Sequence, residues 1–338
     1  KLQRRLINEL RTLSNCQLLI ISHNDHFLQD VKEEEILFMT ESAKENGIVE
    51  QLPAGYKGIV LENLVGDLEE VEKYRNARKL ILVEGNGDVE FLNKMRPLYE
   101  TYANVSFPMQ IVMKMDGIDT LNAKLLTCSR ILKNIIPASC KWLLIRDTDC
   151  VPCNKKVSAG NADKKNVDTS GAEFKVLFQD GYGIESTFAA EPEKLKKLLC
   201  SYYGLEEPEE NTIKNMILET NEEYYQKVRD CLNVEVHQEL EKHFNRQKKA
   251  RSGKIYDNLT FAEMLSQISA DNIQYIMTKP IMDCYLESLH TRILSNYSNI
   301  SVVKLDHRTI FTYYYQQIGC LDDMFESHKA LLQEIYRD

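Results

Sequence analysis

LILVEGNGD (80–88) and WLLIRDTD (142–149) decide the fold. In each, a run of apolar, β-favouring residues ends abruptly at acids. A short apolar run with no polar alternation is the pattern of a strand buried on both faces, as in a parallel sheet. The first run passes through Glu84-Gly85-Asn86-Gly87 into a helical rhythm, with Val89, Phe91, Leu92 and Met95 on one side. The spacing predicts strand 79–83 and helix 88–99, strand 108–115 and helix 119–134, strand 140–145, and strand 174–178. Strands alternating with helices imply an α/β fold on a parallel sheet.

Outward from this core, 79–200, the pattern changes on both sides. Upstream, the charged stretch 67–78 reads as a linker that separates residues 1–66. Within 1–66, Gln17–Ile21 predicts a short buried strand, and 35–40 and 46–60 predict edge strands and turns. Downstream, 154–170 is polar and predicts a mobile loop. Residues 201–338 read as a mostly helical extension. Helices are expected over 191–202, 209–219, 221–249, 259–270, 278–294 and 319–337.

The acids carry the chemistry. Ligands collect beyond the carboxyl ends of parallel strands, which places Glu84 at the rim of the sheet. Asp88 falls in the first turn of the next helix, where the dipole favours a negative charge. Asp147 and Asp149 end another buried strand, and a spacing of two sends both carboxylates the same way. Glu185, after Gly183-Ile184, is the fifth member. Carboxylates at neighbouring strand ends repel one another unless hard divalent cations, Mg2+ or Mn2+, lie between them. Taken singly, each acid is also an ordinary cap or turn residue. Arg146 and Lys141 are placed to neutralise the group, while Asp116 and Asp119 suit a turn and a helix cap.

This arrangement resembles the Toprim domain of topoisomerases, primases and the overcoming-lysogenization-defect family of nucleases. The resemblance rests on LILVEGNGD and WLLIRDTD in that order, with Met115-Asp116-Gly117-Ile118-Asp119 where the family has a glycine-containing turn. Gly183-Ile184-Glu185 is similar to the Ile-Glu-Asn-Tyr element of defence-associated relatives, although here it continues Ser-Thr-Phe. The resemblance implies a Toprim-like metal-binding core in which Glu84, Asp88, Asp147, Asp149 and Glu185 hold metal. It also implies a later lysine that assists the scissile phosphate, a role carried to Lys254.

Residues 16–30, CQLLIISHNDHFLQD, resemble the last strand and switch histidine of an ABC-type ATPase head, of the kind joined to Toprim domains. That resemblance implies ATP as a cofactor of the full-length assembly, with His23 near its γ-phosphate. The 338 residues contain no GxxxxGK[ST] phosphate loop, so either a preceding segment is expected to supply it or the head is a remnant.

The remaining features bound the partners. A net charge of -9 argues against a wholly nucleic-acid-coating surface, but 242–254 holds six Lys or Arg and no acid. With Lys155, Lys156, Lys164 and Lys165 it would line a path for a DNA backbone, with Phe244 as a base-stacking candidate. The alternative is a solvated helix end. Tyr313–Tyr315 read as a packing face. Nine scattered cysteines suit reduced thiols in the cytoplasm, and the single CxxC pair, Cys150 and Cys153, is no zinc site. No apolar stretch suits a membrane span. The family resemblance implies a homo-oligomer. The leading expectation is a metal-dependent DNA endonuclease or nickase module coupled to an ABC-type ATPase in anti-phage defence. The alternative is a non-cleaving ATPase-linked sensor or scaffold that binds and releases a separate toxin or nuclease subunit.

Overall fold

Strands buried on both faces need cover from two sides, and helices here supply it. The computed structural model describes residues 74–338 except 107–108, 116–131, 133–135, 150, 166, 168–171, 230–233, 251–253, 298–299, 303 and 338. Before them it describes residues 9, 12, 19–20, 31–38, 47 and 50–51.

A short antiparallel pair, β1 (Leu37–Phe38) and β2 (Glu50–Gln51), comes first. The main sheet contains β3 (Lys79–Val83), β4 (Gln110–Lys114), β5 (Lys141–Arg146) and β6 (Phe174–Phe178), in the spatial order β4-β3-β5-β6. All three pairings are parallel, with Leu82 opposite Leu144 and Arg146 opposite Phe178. The sheet therefore presents the carboxyl ends of its strands together. Between and after the strands lie α1 (Asn86–Ala103), α2 (Lys156–Lys164), α3 (Pro192–Tyr203), α4 (Glu207–Arg229) and α5 (Val234–Ala250). They are followed by α6 (Lys254–Asp257), α7 (Phe261–Leu265), α8 (Lys279–Asn296), α9 (His307–Gln317) and α10 (Glu326–Tyr336). The fold is α/β, mostly helical, with a four-stranded parallel sheet flanked by helices. Among the described residues no helix is long and apolar enough to cross a membrane.

Alternation along the strands splits the core. Leu80, Leu82, Met113, Trp142 and Leu144 fill one face. Ile81, Val83, Leu143 and Ile145 fill the other, and that core runs without interruption through α1 to Leu332 and Ile335 of α10. The helical region is thus fastened to the sheet and shares its core. Phe188 is the hub, fully buried, with ring centroids 4.7 Å from Phe311, 5.0 Å from Phe325 and 5.6 Å from Tyr314. His328 lies against Phe91 at 4.7 Å, and burial pushes its imidazole down to a pKa of about 3. These rings fix the 3-10 turn Ile184–Ala189, which carries Glu185.

Several expectations need correction. Residues 156–164 of the expected mobile loop 154–170 form α2, because Ala159, Gly160 and Asp163 make a face that packs on β6. A Cβ on Gly160 would already lie 3.4 Å from that of Val176, so small residues allow the close approach. A small-residue face registers as polar composition in a sequence. Where helices 209–219 and 221–249 were expected, the structure describes α4 over Glu207–Arg229, which runs through the expected break at 220, and α5 over Val234–Ala250. The expected helix 319–337 is helical in α10 from Glu326, with a 3-10 turn at Leu321–Asp323, and α9 precedes it unforeseen, its first turn capped by Asp306 accepting from the Thr309 N–H at 2.8 Å. Leu19 and Ile20, expected inside a buried strand, are exposed and unpaired as strand. Among the described residues no strand pairs with them, and an apolar run becomes a buried strand only where a neighbour takes its backbone hydrogen bonds. His23, Asp116 and Asp119 lie outside the described residues.

Candidate metal centre

The carboxyl ends of β3 and β5 and the turn after β6 bring the predicted acids together. Glu84 follows the last residue of β3 and is buried, at 6% exposure. Asp88 sits in the first turn of α1, where its Oδ2 accepts the Gly85 N–H at 2.9 Å. Its Oδ1 accepts from Gln179 Nε2 at 3.0 Å, so both oxygens are held. Asp147 and Asp149 follow β5. Asp149 adopts a left-handed backbone, φ 46°, which a short polar side chain tolerates better than most. Its N–H donates to the Tyr182 carbonyl at 3.3 Å, which ties this loop to the one bearing Glu185.

Gly183 shows how closely the two loops meet. A Cβ there would stand 3.3 Å from Glu185 Oε2 and 3.5 Å from Asp147 Oδ2. On the other side, a Cβ on Gly87 would be 3.5 Å from Glu185 Oε1 and 3.9 Å from Lys279 Nζ. Glycines therefore let two backbone segments lie directly against the carboxylates.

The electrostatics follow from this crowding. Burial, then repulsion from Asp88, Glu84, Asp149 and Glu185, pushes the Asp147 carboxyl well above the usual range. Burial pushes Asp88 up to about 6; the Gly85 hydrogen bond opposes this, and Glu84 and Glu185 add to it. Two cations answer the five acids. Arg146, wholly buried, donates from Nε to Glu84 Oε1 at 2.6 Å and from Nη1 to Asp163 Oδ2 at 3.0 Å. Lys279 Nζ lies 2.8 Å from Glu185 Oε1 with 60% of its side chain exposed. Desolvation works against the Lys279 ammonium, but Glu185, with Asp147 and Asp88 behind it, holds its pKa above the ordinary value.

The donor chemistry fits a hard divalent cation such as Mg2+ or Mn2+, which takes carboxylate oxygens. Glu84, Asp88, Asp147, Asp149 and Glu185 would be the residues to hold it. As the side chains stand, Asp88 is held by Gly85 and Gln179, Glu84 by Arg146, and Glu185 by Lys279. Among the described residues no three acids, histidines or cysteines are already disposed around a single ion position. A cation that took Glu185 or Asp88 as a ligand would displace the Lys279 ammonium or the Gly85 cap.

Lys279, Gln179 and Asp163 were not expected at this site. Lys279 left one signal: a lysine in the first turn of a helix opposes the dipole. It begins α8, after Thr278, whose hydroxyl accepts the Ile281 N–H at 3.4 Å. Gln179 and Asp163 left none. Lys254 starts α6, and its side chain lies outside the described residues. Lys141 pairs with Glu173 at 3.9 Å, near the opposite end of β5, and does not neutralise the acids.

The expected nucleic-acid path is altered too. Phe244 is buried, 5.6 Å from Phe261, so it belongs to the core and cannot stack on a base. Lys156 Nζ donates to the Gln179 carbonyl at 3.0 Å, and Lys155 pairs with Glu263 at 3.5 Å. Lys164, Lys165, Arg246 and Lys249 are at least partly exposed. Tyr182 on the acidic loop is hydrogen-bonded to His243 of α5, which joins the basic helix to the site. Comparison with known proteins finds no matching family model, no matching curated protein and no matching solved structure.

Proposed function

We propose that the chain is a metal-dependent nuclease or nickase module, Toprim-like in its core, that hydrolyses DNA phosphodiesters and works with an ABC-type ATPase in anti-phage defence. The observation that carries this reading is the convergence of five carboxylates at the strand ends, with the exposed Lys279 ammonium among them. A bound Mg2+ or Mn2+ would supply Lewis acidity and a nucleophile at neutral pH. Glu84, Asp88, Asp147, Asp149 and Glu185 would hold it. Lys279, once free of Glu185, offers a cation to a non-bridging phosphate oxygen and suits the assisting-lysine role. Asp88 and Asp147, which hold protons more tightly than ordinary carboxyls, would release them as a cation enters. Helix α5 and the exposed Lys164 and Lys165 at the end of α2 offer the backbone path.

One observation favours the alternative, a non-cleaving sensor or scaffold that holds a separate toxin. Arg146 and Lys279 neutralise part of the acidic group without any ion, as a retired site would. Supercoiled plasmid with Mn2+ separates the two. Nicking or cleavage that disappears in Glu84→Ala and Asp147→Ala supports the enzyme. A clean protein that leaves plasmid intact and co-purifies with a second polypeptide sinks it in favour of the scaffold.

A further inference from the structure

Arg146 is a guanidinium with no exposure at all, at the end of the strand that leads to Asp147. A buried ion pair is weak evidence for stability, because desolvation offsets most of its attraction. An apolar residue would fill the place at least as well, so its geometry is the better guide to its use.

That geometry is a chain of hydrogen bonds across three elements. Tyr256 of α6, fully buried, donates to Asp163 Oδ1 at 3.0 Å. Asp163 of α2 offers its other oxygen, Oδ2, to Arg146 Nη1 at 3.0 Å. Arg146 Nε reaches Glu84 Oε1 at 2.6 Å, and the Asp147 N–H donates to that same oxygen at 3.2 Å. Neither donor touches Oε2. A planar guanidinium held at two of its nitrogens has a fixed plane, and it fixes the carboxylate that it grips. Outer partners of this kind set the orientation of metal-ligating side chains.

We infer that Arg146, Asp163 and Tyr256 are positioning residues that lock the Glu84 carboxylate with Oε1 turned inward and Oε2 presented to the other acids. The inference rests on the proposed metal site. It gives α2 a purpose beyond covering β6, because its Asp163 is the central link. It also anchors the metal site to α6, which directly follows the basic run 242–254.

The test is a double-mutant cycle read by Mn2+ binding, with titration calorimetry or Mn2+ paramagnetic resonance on the full chain. Asp163→Asn should weaken Mn2+ binding about 10–100-fold, and Tyr256→Phe, one bond further out, about 3-fold or more. In the Glu84→Gln background both effects should vanish, since no carboxylate remains to be oriented. Equal losses in both backgrounds would mean general loosening and would overturn the inference. Tyr256→Phe removes one oxygen and keeps the ring, so it serves if Asp163→Asn does not fold. Should Glu84→Gln alone leave Mn2+ binding unchanged, the metal-site reading fails, and this inference with it. Loss on Glu84→Gln with no change on Tyr256→Phe and Asp163→Asn removes the inference alone.

Discussion

Asp88→Asn tests the electrostatic account of the site without reference to catalysis. In the folded, metal-free chain the Asp88 carboxyl is raised from 3.8 to about 6, chiefly by burial. An acid whose folded pKa is raised stabilises the fold while protonated. That contribution is complete below the unfolded value and is lost as pH climbs through the folded one. About two pKa units at about 1.4 kcal/mol each make the ionised carboxyl cost about 3 kcal/mol at pH 8. Asparagine removes the charge and keeps the shape. Its oxygen can accept from Gly85, and Gln179 can turn its amide to accept from the new NH2, so the hydrogen bonds survive at neutral strength. The charge-assisted part of those bonds is already contained in the shift, because both lower the Asp88 pKa against burial. In EDTA at pH 8, Asp88→Asn should therefore be about 2–3 kcal/mol more stable than wild type. The gain should shrink to nothing or reverse at pH 4. Urea unfolding followed by circular dichroism across pH 4–8.5 measures both limbs. A variant that is less stable at pH 8, or a difference flat with pH, refutes the argument.

The other expectations are more direct. Mn2+ affinity should rise as pH passes upward through about 6, with proton release visible in buffers of different ionisation enthalpy, because Asp88 must lose its proton to act as a ligand. Affinity unchanged between pH 5 and 7 would contradict this. Lys279→Ala should cut plasmid nicking by about 100-fold, the usual scale for one charge-stabilising donor, while Mn2+ binding holds or tightens because Glu185 is freed. Weaker Mn2+ binding in that variant would show that Lys279 supports the site and does not compete for it. Phe188→Ala should lose about 3–5 kcal/mol in urea unfolding, since it empties the ring cluster behind the Glu185 turn. A loss below about 1 kcal/mol would mean the C-terminal helices are not clamped there.

The parallel sheet and most of the site were legible because they depend on local order. Val83-Glu84-Gly85 and Ile145-Arg146-Asp147 each state a strand, its end and its acid within a few residues, and β3, β5 and β6 lie where the pattern put them. What was misread depends on packing. Helix α2 was hidden by its small residues, and Phe244 looked available because a basic stretch surrounds it, although α7 covers its ring.

By itself, then, the amino-acid order determined the strand-end acids, since a carboxylate after an apolar run must sit at the rim of the sheet. Only the tertiary structure decided which charges meet them. Lys279 arrives from 94 positions beyond Glu185, and Asp163 and Tyr256 reach Glu84 through Arg146. Coulomb and hydrogen-bond energies depend on distance in space. Arg146 was legible beside Asp147 as a neutralising charge, but Asp163, Tyr256 and the Glu185 partner Lys279 stayed invisible until the helices closed over the sheet.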